Sequence, residues 1–249
     1  MKEKIYTIPV NEAFDTDCEC PLCVLSSRLE AEAVEYALGA AMMEPDYRII
    51  SNEKGYCNTH YKMLLEKPNK LSLTLTMDTH YDELLKKIIS LKESATEMKD
   101  EKKGLFSKGK SEGFDKCLNL LKNSVCSCVI CEKVETTMKR YVSVFFHMWE
   151  KDENFRKKAE NSKGFCLPHF LLLIEGAKEY LGKKKYEEFC SFICRKEEDE
   201  FKRVHTDVHK FTLKFDYRNH GSAWGTEIDA PVRGVEKLSG YTKNPNKQK

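Results

Sequence analysis

A chain of 249 residues with 42 basic, 40 acidic and 41% hydrophobic residues is long enough to bury its own core and is too apolar for a disordered or fibrous protein. Its formal net charge of +2 argues against a nucleic-acid partner, because phosphate binding depends on a concentrated excess of Lys and Arg. No apolar run approaches the ~18 to 20 residues of a membrane span, and the opening Met1-Lys2-Glu3-Lys4-Ile5-Tyr6-Thr7 lacks the apolar stretch of an export signal. The expectation is a cytoplasmic protein with no membrane contact.

In chain order, short helices are expected at 24–42 and 56–66. From Met77 through Tyr81, Leu84, Leu85, Ile88, Leu91, Ala95 and Met98, apolar residues return every three or four positions and draw one stripe along a longer helix. Lys99 to Gly113 holds three glycines and five lysines, which reads as a solvated linker. Further helices are expected at 114–123, 132–149 and 165–181, and a long one from near Lys184 carries a seam of Phe201, Val204, Val208, Phe211 and Phe215. After Tyr217 the chain turns rich in Gly and Pro and reads as an irregular tail on the surface, anchored by Trp224, Ile228, Val232 and Leu238. Almost nothing alternates with period two. The pattern predicts an all-α protein with a first module at 1–98, a linker at 99–113, a second module at 114–216 and a tail at 217–249.

The cysteines organise these segments. Cys18, Cys20 and Cys23 recur at an offset of 108 as Cys126, Cys128 and Cys131, and Tyr47-Arg48 recurs as Phe155-Arg156. At an offset of 109, Gly55-Tyr56-Cys57-Asn58-Thr59-His60-Tyr61 matches Gly164-Phe165-Cys166-Leu167-Pro168-His169-Phe170. Eight of the eleven cysteines stand at matched positions, which reads as an internal duplication giving two homologous helical modules.

A tight Cys-x-x-Cys turn brings two sulfurs to a common point, and a Cys-x-x-His pair at a helix start projects both ligands from one face of its first turn. Combining the two motifs within each copy predicts one treble-clef-like site of Cys20, Cys23, Cys57 and His60 and another of Cys128, Cys131, Cys166 and His169. The halves are separated by 33 residues in the first copy and 34 in the second. Three thiolates and one imidazole suit a closed structural zinc site. Cys18 and Cys126 would add a thiolate to each group, as extra ligands or as thiols packed beside a full site, and this keeps an iron-sulfur cluster or a redox-active thiol as the alternative. Six thiolates and two zinc ions would bring the net charge to about zero.

Other positions are less informative. His205 and His209, four apart, could clasp a metal but read better as surface or core-edge histidines; Cys190, Cys194 and Cys117 read as buried thiols. Arg48 and Arg156 suggest a shared role such as capping or pairing with a carboxylate. With Tyr47 and Phe155 they form the repeated candidates for a docking surface for an unknown protein. No nucleophile-base-orienter set or phosphate-cradling Gly loop is visible, so an interaction or scaffold protein fits better than an enzyme.

The order Cys20-Pro21-Leu22-Cys23, then Glu44-Pro45-Asp46-Tyr47-Arg48, then Gly55-Tyr56-Cys57-x-x-His60-Tyr61, repeated in degenerate form and followed by Trp224-Gly225-Thr226-Glu227 and Asp229-Ala230-Pro231, resembles an uncharacterised family of bacterial proteins, mostly from Firmicutes. Its members are sometimes labelled ABC-transporter substrate-binding proteins. The resemblance covers nearly the whole chain and implies no established activity. Neither an export signal nor the alternating strands and helices of a periplasmic binding protein is read in this sequence, so a transporter role is not expected.

Overall fold

The computed structural model describes residues 3–99, 107–219 and 223–241. Among these, every regular element is helical: α1 (Glu3–Phe14), α2 (Pro21–Leu38), α3 (Pro45–Lys54), α4 (Asn58–Glu66), α5 (Lys70–Lys99), α6 (Ser107–Cys126), α7 (Val129–Lys151), α8 (Glu153–Asn161), α9 (Leu167–Tyr180), α10 (Lys183–Leu213) and α11 (Ala230–Ser239), with 3₁₀ turns at Ala40–Met43 and Tyr217–Asn219. None of these helices is long and apolar enough to cross a membrane.

The helix starts follow local chemistry. Pro45 and Pro231 occupy first-turn positions of α3 and α11, where a missing N–H costs nothing. Asp152 caps α8 by accepting from the N–H groups of Asn154 and Phe155. Cys57 and Cys166 are the N-cap residues of α4 and α9. Each of these helices therefore begins at a potential ligand and carries the histidine one turn on.

The chain packs as two compact units, one of Met1–Leu29 with Thr136–Lys249 and the other of Glu30–Glu135. These boundaries differ from a division at the linker, since each unit takes segments from both sides of it. The first unit is built on aromatic rings: Phe14, Phe145, Phe146, Phe155, Phe165 and Phe189 are buried, with Phe14 and Phe155 centroids 5.0 Å apart and Phe146 and Phe189 also 5.0 Å apart. The second packs Val34, Leu38, Tyr56, Leu64, Leu73, Val129 and Ile130 together. Its α5 and α6 run antiparallel, as Lys87 bonds Ser124 and Ser94 bonds Cys117.

Several expectations need correction. Residues 107–113 are the first two turns of α6 rather than linker, because α6 gains a partner in α5 that glycine content does not reveal; the remainder of the expected linker, 100–106, lies outside the described residues. The helices α1, α3 and α8 were not expected; α1 even contains Pro9. The tail contains α11; Ile228, Val232 and Leu238 are exposed rather than anchoring, whereas Trp224, half exposed, does anchor it, its ring centroid 5.4 Å from that of Phe211 on α10. Cys194 is an exposed thiol, and Phe155, at 0% exposure, is core and not a docking residue.

Candidate metal centres

All eight ligand candidates come together, in a grouping that crosses the repeat. Cys20, Cys23, Cys166 and His169 form one group, and Cys57, His60, Cys128 and Cys131 form the other; within each, the donor atoms lie within 4.8 Å of one another. Each Cys-x-x-Cys knuckle therefore joins the Cys-x-x-His pair from the other half of the chain, which corrects the expected pairing of Cys20 and Cys23 with Cys57 and His60, and of Cys128 and Cys131 with Cys166 and His169. The physical reason is packing: both members of each group belong to the same compact unit.

In the first centre, His169 Nδ1 lies 3.4 Å from Cys20 Sγ, 3.4 Å from Cys23 Sγ and 3.2 Å from Cys166 Sγ, and the Cys23 and Cys166 sulfurs are 3.5 Å apart. In the second, His60 Nδ1 lies 3.2 Å from Cys57 Sγ, 3.2 Å from Cys128 Sγ and 3.4 Å from Cys131 Sγ, with 3.8 Å between the Cys57 and Cys131 sulfurs. Metal–sulfur and metal–nitrogen bonds of about 2.3 and 2.0 Å place tetrahedral donors about 3.5 Å (sulfur to nitrogen) to 3.8 Å (sulfur to sulfur) apart. The eight distances above are equal to or slightly shorter than these, and every remaining pair lies within 4.8 Å.

The electrostatics also call for a cation. Burial, then the neighbouring thiols, push Cys20 well up, and the Cys166 contact raises Cys23 to about 12. Cys166 is correspondingly lowered by bonds from Cys20 and Cys23. In the second centre, burial raises Cys131 to about 12. Burial opposes ionisation of Cys128, but His60 and the N–H groups of Cys131 and Cys57 overcome it and lower the thiol to about 6. Three sulfurs in one cluster cannot all be thiolates unless a metal ion balances their charge; without one, some keep their protons.

The surroundings of the two centres differ. His60 Nε2 lies 3.0 Å from Glu30 Oε1, the carboxylate–histidine arrangement that fixes a ligand's ring orientation. Met138 stands where the repeat would place a counterpart of Glu30. Burial disfavours the His60 imidazolium, yet Cys128 and Glu30 raise it to about 10. Around the first centre, Glu197 Oε1 accepts from Phe165 N–H at 2.5 Å, and buried Lys237 donates to Glu19, Lys163 and Phe165 carbonyls. Gly55 and Gly164, with φ of 62° and 75°, precede the aromatic residue and cysteine in each centre; a Cβ there would sit 2.5 Å from His80 Nε2 or 2.6 Å from Glu197 Oε1. Only glycine meets both demands.

Cys18 and Cys126 stay outside both groups. Cys18 hydrogen-bonds the Tyr241 hydroxyl, and Cys126 is exposed at the end of α6. His205 and His209 are exposed and join no cluster among the described residues. Arg48 bonds Thr79 Oγ1, whereas Arg156 pairs with Glu160 and Glu188 and lies over the Trp149 ring, so the two arginines share no role. No local spacing in the sequence links Glu30, Glu197 or Lys237 to the cysteines; the Gly-aromatic pair at Gly240-Tyr241 is the one sequence signal near them.

Comparison with curated proteins and with solved structures found no match. A family model does match, over residues 1–245, and the chain belongs to that family, DUF6062, a family of unknown function.

Proposed function

We propose that the protein is a zinc-stabilised interaction or scaffold protein with two structural centres, each of three Cys and one His, held by knuckles exchanged between two copies of an ancestral repeat. The observation that carries this reading is the pair of four-donor clusters, three Cys and one His each, whose donor atoms lie within 4.8 Å of one another. Sulfur-rich tetrahedral sites suit zinc, which when bound would supply the charge that the crowded thiolates lack. Four protein donors leave no coordination position for a substrate, which favours a structural over a catalytic role. The recurrence of a long helix, a short helix, a ligand-bearing helix and a second long helix in α2–α5 and α7–α10 supports the duplication.

A scaffold works through its surface. Ile49 and Leu71 in one unit, and Ile228, Val232 and Leu238 in the other, are more than half exposed and are the apolar side chains such a surface would offer. Elemental analysis and an optical spectrum of anaerobically purified protein test the metal. Two zinc ions per chain and no visible colour are expected; a coloured preparation containing iron and sulfide would replace this reading with an iron-sulfur protein.

A further inference from the structure

The second centre ties its two ligand-bearing loops together with donors from its own knuckle. Ser127 Oγ donates to Lys54 C=O at 2.9 Å, and Val129 N–H donates to Gly55 C=O at 3.2 Å. At the same offset of 108, the first knuckle has Glu19 and Pro21 at these positions. Neither can repeat the bonds: an ionised carboxylate is an acceptor only, and proline has no N–H.

A lysine from α11 stands in the gap. Lys237 is 1% exposed, and its Nζ donates to Glu19 C=O at 3.0 Å, to Phe165 C=O at 3.2 Å and to Lys163 C=O. Lys163 is the repeat counterpart of Lys54, so one acceptor is the same in both centres while its donor differs. The Glu19 carboxylate, 3.7 Å from Nζ and also paired with Arg203, balances a cation that could not otherwise be buried. The end of α11 reaches the sulfurs as well. Tyr241 N–H donates to Cys23 Sγ, and a Cβ on Gly240 would lie 3.3 Å from that sulfur and 3.7 Å from Cys166 Sγ.

We propose that Lys237 is a positioning residue for the first metal centre: where Glu19 and Pro21 leave the knuckle without donors, its ammonium takes over the Lys163 carbonyl and joins it to those of Glu19 and Phe165, clasping the ligand loops, so that this centre depends on α11 for metal retention while the second does not. The inference rests on the two-metal reading above.

The test uses the full chain loaded with cobalt(II), whose thiolate absorption reports occupancy, and follows release to a chelator. Cys131→Ser isolates the first centre and Cys166→Ser the second. Adding Lys237→Met keeps the side-chain length without its donors. It should speed release from the first centre by about 10- to 100-fold, the usual effect of losing a partner that orients a ligand, and leave the second unchanged. Restoring the knuckle donors with Glu19→Ser and Pro21→Val in the Lys237→Met chain should return slow release, a rescue that general loosening would not show. Equal release with and without Lys237 overturns the proposal, as does a rescued chain that folds no better or releases no more slowly than Lys237→Met alone. A wild-type chain that takes up no cobalt with thiolate absorption overturns the metal reading itself.

Discussion

At Cys57 and His60, the decisive matter is which knuckle they join, and double substitution distinguishes the pairings. Cys57→Ser with Cys131→Ser should remove one metal ion per chain, because both belong to one group, whereas Cys20→Ser with Cys57→Ser should remove both. Pairing within each copy predicts the reverse, and metal content by elemental analysis separates them. Cys18→Ser and Cys126→Ser should each leave two ions bound, since neither sulfur lies in a group. Glu197 offers a pH test. Burial raises its carboxyl to about 7, and its Oε2 lacks a partner that would stabilise the charged form. A raised carboxyl favours folding below its unfolded value near 4.5, and that stability is lost as pH rises towards about 7. Glu197→Gln should therefore be the more stable protein at pH 8, by up to about 3 kcal/mol, and should match wild type near pH 4.5. A thermal-midpoint series against pH reads both ends.

At the scale of elements, each centre depends on a glycine that lets the chain turn into a ligand-bearing helix. Gly164→Ala would force a Cβ to within 2.6 Å of the Glu197 carboxylate at a φ of 75°. The backbone strain alone costs about 1 to 3 kcal/mol. The midpoint should fall and the first centre should lose metal, while the second, in the other unit, keeps its ion. Phe155→Ala should be comparably severe, at about 3 to 5 kcal/mol for a buried phenylalanine, because the ring packs against Phe14 and Phe145. Denaturant titration measures that cost. Helix α11 reverses the usual arrangement: Val232 and Leu238 face solvent while Lys237 is buried. An amphipathic pattern says that a helix has two faces, but the Lys237 contacts decide which one is inside.

For the whole molecule, metal and fold should be inseparable. Each centre joins segments far apart in sequence: Cys23 meets Cys166, and His60 meets Cys128. Structural zinc contributes about 10 to 16 kcal/mol in small zinc-finger peptides, as much as the ~5 to 15 kcal/mol that holds a domain folded. A strong chelator should therefore lower the unfolding midpoint markedly, and calorimetry on chelated and zinc-loaded protein would show it. An unchanged midpoint after complete removal of metal would refute the structural role of both centres.

The all-helical class and the eight ligand candidates were legible in the sequence because they rest on local rules: a 3.6-residue apolar period, a two-residue gap that turns two sulfurs together, and a three-residue gap on one helical turn. The helix formed by 107–113 was not, since its partner α5 lies across a segment whose composition suggests only a linker. The exchange of knuckles was equally hidden. Two identical motifs present the same donors, so spacing allows either pairing, and only long-range packing of aromatic rings in one unit and aliphatic side chains in the other selects between them. Lys237 shows the same limit: it is one lysine among many in the sequence, and becomes a clasp only when α11 buries it against carbonyls more than 70 residues away.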